Sequence, residues 1–207
     1  MTWRPLTFGL SASETSLPVS ALPLAFKLDG APVLVIGAGE VGVRKTQQLL
    51  EAGAVVTVIS DVISPNLPAS VAHVERRRYR RGDLRGFSLV VSATGDPSVN
   101  DTVTQEARDQ GVWLNVVDDP ERSTFFFTAL HRDGEVTVSV STNGAAPALA
   151  QYVRDLVAAA LPADLARVAD ELRRERRRLH DDGLTSEGIN WRARIEGVLA
   201  GDTVSDS

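Results

Sequence analysis

Short apolar runs alternate with helix-compatible stretches along the first half of the chain. Pro32–Ile36 is an unbroken apolar run, as expected for a parallel strand that is buried on both faces. Val41–Ala52 has the composition of a helix, Gly53 suits a left-handed helix end, and Val55–Ile59 is a second apolar run. Together these segments predict one β-α-β unit of about 30 residues.

The same alternation returns further along the chain. Ser88–Ala93 and Val112–Val117 are predicted as strands, and Asn100–Gln110 between them is predicted as a helix. Strands that alternate with helices of this length indicate an α/β fold with a parallel, doubly wound sheet.

The pattern changes near Asp119, where we place the start of a second module. Phe125–Leu130 and Glu135–Ser141 predict a β-hairpin around a turn at Arg132–Gly134. Because this hairpin is small, we expect the apolar helical stripes that follow it to pack against a partner subunit. These stripes recur at the helical period and comprise Leu149, Val153, Leu156 and Val157, then Leu165, Val168, Leu172 and Leu179.

A glycine loop, Gly37–Gly42, follows the first strand and opens the first helix. In a dinucleotide-binding loop of this kind, Gly37 allows the tight turn, Gly39 leaves room for the pyrophosphate, and Gly42 lets the helix approach the strand. Free N–H groups at the helix start then bind the phosphates. The alternative is a tight strand-helix turn without a ligand.

An acidic residue closes the second predicted strand. Asp61 lies 19 residues after Gly42, where a carboxylate binds the ribose hydroxyls of the cofactor. No arginine occurs in the adjoining Val62–Ser64, so the sequence favours NAD over NADP. The alternative for Asp61 is an ordinary capping or turn aspartate.

Candidate chemistry lies after the later strands, because ligands of open α/β sheets bind at the carboxyl ends of strands. Thr94 follows one strand, and Asn115–Asp118 closes another. Asp118 is suited to accept a proton as hydride leaves a substrate, or to ligate a cation. The alternative is a turn-forming aspartate. Ser141–Gly144 is typical of a capping turn, and its functional alternative is anion binding.

Composition narrows the function further. The net charge of −5 and the pI of about 5.2 argue against nucleic acid as a partner. The chain has no cysteine, so redox chemistry must come from a bound cofactor. No apolar run approaches the roughly 20 residues of a membrane helix, and we expect a cytoplasmic protein. Arg76–Arg81 and Arg173–Arg178 are either solvated surfaces or attractors of a multiply anionic ligand.

Five motifs, in one order between Pro23 and Leu161, resemble the precorrin-2 dehydrogenases, the N-terminal module of sirohaem synthases. They are Pro23–Leu28, Val35–Lys45, Ser92–Asp96, Asn115–Asp118 and Ser141–Ala150. The resemblance implies a homodimer that oxidises precorrin-2 to sirohydrochlorin with NAD⁺. In many members it also implies a second activity, the insertion of Fe²⁺ to give sirohaem.

The resemblance also implies roles for individual residues. The cofactor contacts are Gly37, Gly39, Glu40, Val41, Gly42, Asp61, Val62 and Thr94. Asp118 matches the aspartate assigned to dehydrogenation and to chelation of the metal. The tetrapyrrole carries eight carboxylates, and its expected contacts are Arg44, Lys45, Asn115, Ser141, Thr142 and Asn143. Thr142 and Asn143 replace a Ser-Gly pair that is common in this motif.

We therefore expect four segments. Residues 1–22 form an N-terminal extension, 23–118 the NAD-binding Rossmann domain, 119–153 a dimerisation module, and 154–207 a C-terminal helical region and tail. The methyltransferase module of the trifunctional proteins is not in the sequence, so we expect a separate protein to carry out the upstream methylation.

Two other functions stay open at this stage. A non-catalytic NAD-sensing domain would bind the nucleotide without turnover. A dehydrogenase of a different small substrate would show turnover without a tetrapyrrole.

Overall fold

The structure is a computed structural model that describes residues 21–201, so most of the predicted N-terminal extension and the last six residues of the tail lie outside it. Within this range the chain forms two compact units, one ending at Phe126 and the other beginning at Phe127. This division lies eight residues after the boundary expected from the sequence. It places residues 127–153 of the predicted dimerisation module in one unit with the C-terminal helices and leaves residues 119–126 in the first unit.

The first unit is a five-stranded parallel sheet with strand order β3-β2-β1-β4-β5. This is the Rossmann strand order without its sixth strand, and it confirms the predicted fold class. Its elements are β1 Pro32–Ala38, α1 Glu40–Glu51, β2 Val55–Ile63, β3 His73–Glu75, β4 Leu89–Ser92, α2 Pro97–Gln110 and β5 Trp113–Val116.

Strand β1 lies at the centre of the sheet and holds the core. Val33 pairs with Val56 of β2 on one side and with Leu89 of β4 on the other. Val33, Leu34 and Val35 are completely buried, as the unbroken apolar run predicted. Each fully buried aliphatic side chain of this size contributes roughly 1.5–3 kcal/mol.

Several elements differ in extent from the sequence prediction. Helix α2 begins at Pro97, three residues earlier than predicted, because the Asp96 carboxylate caps it by accepting from the backbone N–H of Ser98 at 3.0 Å. Strand β2 continues to Ile63, so Asp61 lies inside the strand and not at its end. The short strand β3, which pairs with β2, was not predicted.

The predicted strand Phe125–Leu130 was wrong in its first four residues. The backbone N–H of Thr124 donates to the Leu114 carbonyl at 2.7 Å, and the Thr124 hydroxyl accepts from the Leu114 N–H at 2.8 Å. The Phe125 carbonyl accepts from the Asn115 side chain at 3.1 Å. These bonds hold the segment along β5, so the hairpin begins only at Ala129.

The second unit is a two-stranded hairpin followed by three helices. Its elements are β6 Ala129–Asp133, β7 Val136–Val140, α3 Pro147–Ala160, α4 Leu165–Asp181 and α5 Trp191–Ala200. Gly134 in the hairpin turn has φ of 57°, and a Cβ there would lie 2.6 Å from the Cβ of Ala166. The helical character predicted for this part of the chain is confirmed. None of the helices in the described range has the length and apolar character of a membrane span.

Candidate active site

Two glycines of the loop are required by close backbone contacts. Gly37 has φ of 94°, and a Cβ there would lie 2.6 Å from the Ala93 carbonyl oxygen. A Cβ at Gly42 would lie only 2.1 Å from the Gly37 carbonyl oxygen. Strands β1 and β4 and helix α1 therefore meet at a distance that no larger residue allows at these positions.

Gly39, between them, faces open space. It is the N-cap residue of α1, has an extended backbone, and a Cβ there would meet no atom within 4 Å. Within the described structure no side chain caps this helix end, whereas Asp96 caps α2 and Asn190 caps α5. The first N–H groups of α1 are thus available to an anion in front of the loop.

The end of β2 is held by side chains of its own residues. The buried Ser60 hydroxyl donates to the Val62 carbonyl at 2.7 Å and accepts from the Ala38 N–H at 3.1 Å. Asp61 is exposed: one carboxylate oxygen accepts from the Val62 N–H at 3.0 Å, and the other accepts from Arg78 Nε at 3.3 Å. Sequence reasoning missed Arg78, because the fold brings it back from 17 residues further along. Its only sequence signal is its place in the arginine run.

The loop after β4 is fixed by its own polar groups. The Thr94 hydroxyl accepts from the Asp96 N–H at 3.2 Å, and the Thr94 carbonyl accepts from Asn100 Nδ2 at 3.3 Å. Ser92, completely buried, donates to Asn100 Oδ1 at 2.7 Å. Asn100, which sequence reasoning did not single out, therefore ties the loop that carries Thr94 to helix α2.

Asp118 sits in a tight turn directly after β5. The Asp119 N–H donates to the Val116 carbonyl at 3.1 Å, and Asp118 between them has φ of 61°, in the left-handed region. The side chain of Asp118 is exposed. Asn115, in contrast, is buried, and its amide nitrogen donates to the Phe125 carbonyl inside the unit.

This turn is braced by Arg122 and Ser123. The Arg122 guanidinium binds the Asp119 carboxylate with one nitrogen and Asp101 of α2 with another, at 2.6 Å. Its hydrogen bonds hold the pKa of Asp119 below the usual range. The Ser123 hydroxyl donates to the Asp119 carbonyl at 2.7 Å and accepts from the Val116 N–H at 3.0 Å. Asp118 therefore projects from a loop that is bonded to α2 through Arg122 and to β5 through Ser123.

Lys45 of α1 has a pKa that responds to its neighbours in the site. Partial burial and the neighbouring Arg44 lower the pKa of Lys45 to about 8, while the negative charge of Asp118 opposes this shift. The structure thus brings Lys45 and Asp118 within electrostatic reach of each other, although they come from α1 and from the end of β5. Arg44, one residue earlier on the helix, is exposed.

The residues Ser141–Asn143 belong to the second unit, in the loop between β7 and α3. The Ser141 hydroxyl accepts from the Asn143 N–H, and the Thr142 hydroxyl accepts from the Ala146 N–H, both at 3.1 Å. Asn143 has φ of 53°. This left-handed backbone fits a position where related motifs carry glycine.

No group of three or more His, Asp or Glu side chains within residues 21–201 is arranged to hold a metal ion. The glycine loop instead closes β1, Asp61 lies near the end of β2, and Thr94 and Asp118 follow β4 and β5 of the same parallel sheet. They therefore lie along the same edge, where ligands of such sheets bind. The fold and this edge define a dinucleotide-binding Rossmann protein.

Comparison with known proteins agrees with this class. The model of a family described as putative NAD(P)-binding matches residues 24–129, about half of the chain, and the chain belongs to this family. A second model, described as the central part of sirohaem biosynthesis proteins, matches residues 133–160. The resemblance drawn from the five sequence motifs is thereby confirmed.

The similar curated proteins are siroheme synthases. Siroheme synthase 2 of Aeromonas hydrophila is 40% identical over 151 residues, which are 72% of this chain and 32% of that protein. Siroheme synthase of Azotobacter vinelandii is 36% identical over 190 residues, covering 86% of this chain and 40% of its own length. The chain thus spans well under half of these relatives. Among solved structures, SirC, precorrin-2 dehydrogenase, shares the fold with a TM-score of 0.66 and 22% identity, and 90% of each chain is covered.

Proposed function

We propose that this chain oxidises precorrin-2 to sirohydrochlorin with NAD⁺, as a step in sirohaem synthesis. The observation that carries the proposal is the placement of an open, uncapped glycine loop and the exposed Asp118 carboxylate along one edge of one sheet. We infer the identity of the substrate from the names of the related siroheme synthases and of the structural neighbour.

The residues at the loop fit a dinucleotide. The space in front of Gly39 is what a pyrophosphate needs, and the uncapped N-terminus of α1 offers it N–H donors. Glu40 and Val41 begin the helix beside this space, and Asp61 and Val62, within the last three residues of β2, would hold the ribose. When bound, NAD⁺ supplies the acceptor for the hydride that leaves the substrate.

Residues of the chain accept the proton that leaves the substrate and provide positive charge for its carboxylates. The oxidation removes a hydride and a proton from precorrin-2, and the exposed Asp118 carboxylate accepts the proton. Lys45, near Asp118, and the exposed Arg44 provide positive charge for the substrate's carboxylates. The roles of Thr94, Asn115, Ser141, Thr142 and Asn143 in binding stay predictions, as does the cytoplasmic location.

The test is an anaerobic assay with purified protein, NAD⁺ and freshly made precorrin-2, followed by the appearance of the sirohydrochlorin spectrum. Asp118→Asn, which keeps the size of the side chain, should lower turnover by roughly two orders of magnitude or more and leave NAD⁺ affinity within a few-fold. NAD⁺ binding without any spectral change would instead favour the sensor alternative. Unchanged turnover in Asp118→Asn would remove Asp118 from the mechanism.

The iron step is tested in the same cuvette. Fe²⁺ is a substrate of that step, and Asp118 is the residue we propose as its transient ligand. Adding Fe²⁺ after sirohydrochlorin has formed should convert its spectrum to that of sirohaem faster than in a protein-free control. Equal rates with and without protein would limit the activity to the oxidation.

We also propose that the chain is a homodimer through helix α3. Leu149, Tyr152 and Leu156 lie three and four residues apart, so they share one helix face, and all three are more than half exposed. An exposed apolar face of this kind on a helix is typical of a subunit interface. Leu156→Glu should produce a monomer in sedimentation analysis, whereas Arg174→Glu on the exposed surface of α4 should not. A wild-type monomer at micromolar concentration would contradict the proposal.

A further inference from the structure

We propose that Arg78 enables this site to accept a 2′-phosphate, so that the chain binds NADP as well as NAD, and that Asp61 and Arg78 together set the preference. The proposal rests on the dinucleotide site of the proposed function and goes beyond it by assigning the residue that selects the cofactor. It also revises the expectation from sequence, in which the absence of arginine from Val62–Ser64 favoured NAD over NADP.

The position of Arg78 is the first observation. In Rossmann folds an acid at the end of the second strand binds the ribose hydroxyls, whereas an arginine nearby accommodates a 2′-phosphate. Both residue types are present here, since Arg78 Nε lies 3.3 Å from Asp61 Oδ2. The other Asp61 oxygen accepts from the Val62 N–H. Each oxygen of this carboxylate thus already accepts one hydrogen bond, and ribose hydroxyls would have to share the carboxylate with Arg78.

Arg78 is the residue of the arginine run whose side chain reaches Asp61, and two neighbouring arginines are held elsewhere. Arg77 is held by Asp83 through two nitrogens, at 2.6 and 3.0 Å, and by Glu75 at 2.6 Å. Arg81 pairs with Asp109 of α2. Arg78 is different, because its own side chain is 76% exposed and contacts Asp61 through Nε alone.

The geometry suits a phosphate. With Nε on Asp61, the two terminal nitrogens of Arg78 form no hydrogen bond or ion pair with any residue in the described range. A guanidinium presents such nitrogens as a planar fork that matches two phosphate oxygens. The existing ion pair is exposed on both sides, and exposed pairs contribute little to stability, so a dianionic 2′-phosphate displaces Asp61 from Arg78 at small cost.

The charge of Arg78 also reaches the neighbouring loop. Hydrogen bonds from Ser98 are the main cause of the lowered pKa of Asp96, and Arg78 adds to the same shift. Asp96 is the N-cap of helix α2 after β4, on the other side of β1 from Asp61. Contact with Asp61 near the end of β2 places Arg78 at the edge of the sheet where the proposed cofactor site lies.

The test measures dissociation constants of NAD⁺ and NADP⁺ by titration calorimetry for the wild type, Arg78→Ala, Asp61→Ala and the control Arg81→Ala. We expect the wild type to bind NADP⁺ within about tenfold of NAD⁺. Arg78→Ala should weaken NADP⁺ by about tenfold or more and change NAD⁺ by less than about threefold. Asp61→Ala should shift the preference towards NADP⁺, and Arg81→Ala should change neither constant.

Three outcomes would overturn the proposal: NADP⁺ binding more than about a hundredfold weaker than NAD⁺ in the wild type, equal weakening of both nucleotides in Arg78→Ala, or no effect of that variant. Arg78→Lys separates charge from the planar fork, because it keeps the first and loses the second. The assay needs no tetrapyrrole. A chain that binds neither nucleotide contradicts the proposed function, whereas a chain that binds NAD⁺ alone contradicts only the role of Arg78.

Discussion

Adding one methyl group to the glycine loop should give opposite results at two positions three residues apart. At Gly39 the new Cβ meets nothing within 4 Å, and the backbone is extended, a conformation that alanine adopts without strain. At Gly42 the same methyl lies 2.1 Å from the Gly37 carbonyl oxygen, a backbone atom that cannot rotate away. The first change therefore fills ligand space, and the second pushes α1 away from β1.

The expected magnitudes follow from these distances. Gly39→Ala replaces a tolerated N-cap residue by a poorer one, which costs at most about 1 kcal/mol of unfolding free energy. Gly42→Ala gains up to about 1 kcal/mol in helix propensity but overpacks a backbone contact, at a typical cost of about 1–3 kcal/mol or more. Because the contact is so short, we expect the upper end of this cost and a net loss of about 2 kcal/mol, or roughly 4–8 °C in melting temperature.

The assay combines thermal unfolding by circular dichroism with NAD⁺ titration calorimetry. Gly39→Ala should melt within a few degrees of the wild type and bind NAD⁺ about 10 to 100 times more weakly, a loss of about 1.4 to 2.7 kcal/mol. Gly42→Ala should melt clearly earlier. Each variant is the control for the other, since both add one methyl group. The reasoning fails if Gly39→Ala binds NAD⁺ like the wild type, or if it melts as early as Gly42→Ala.

Other residues of the site give further predictions. Arg122→Ala removes the ion pair between the Asp118 turn and α2, so turnover should fall about tenfold while NAD⁺ affinity stays unchanged. Arg122→Lys keeps the charge and should restore part of the lost turnover. Equal turnover in the wild type, Arg122→Ala and Arg122→Lys would contradict this role of Arg122. Lys45 loses its charge as the pH rises through about 8, so the KM for precorrin-2 should rise above that pH. In Lys45→Met this pH dependence should disappear, and a parallel rise in the variant would show that another group is responsible.

The pKa of Lys45 has a second consequence, for stability. It is lowered in the folded protein relative to the usual value of 10.5, so between pH 8 and pH 10.5 the unfolded chain binds more protons at this position. The contribution of Lys45 to the unfolding free energy therefore becomes more favourable as the pH rises through this range. Lys45→Met should show a smaller increase than the wild type in urea titrations across it. A steeper increase in the variant would reverse the assigned sign.

The central β-α-β unit could be predicted because its signal is local. The apolar run of β1 is buried on both faces, which its composition indicates directly. A glycine loop between a strand and a helix is typical of the β-α-β unit of dinucleotide-binding folds. Strand β3 could not be predicted, because all three of its residues are exposed and it exists only by pairing with β2. The aromatic run from Phe125 is typical of a strand, but hydrogen bonds from Thr124 to β5 decide its structure.

The candidate site shows the same division between local and distant information. The positions of Gly39 and Asp118 follow from the ends of predicted strands, so the sequence indicates both. The pairing of Asp61 with Arg78 depends on how the segment after β3 returns to β2, and the spacing of the two residues in the sequence does not predict this contact. The contact of Arg122 with Asp101 likewise joins two elements whose distance is set only by the fold.

The left-handed backbone of Asp118 places a limit on how this chain can change. Glycine adopts φ of 61° without the steric cost that a Cβ brings, a cost of order 1 kcal/mol that aspartate reduces only in part. Asp118→Gly is therefore expected to fold at least as stably as the wild type while lacking the carboxylate. A library of variants selected only for thermal stability or expression would enrich glycine here. Selection for turnover would have to retain a residue that the backbone alone does not favour.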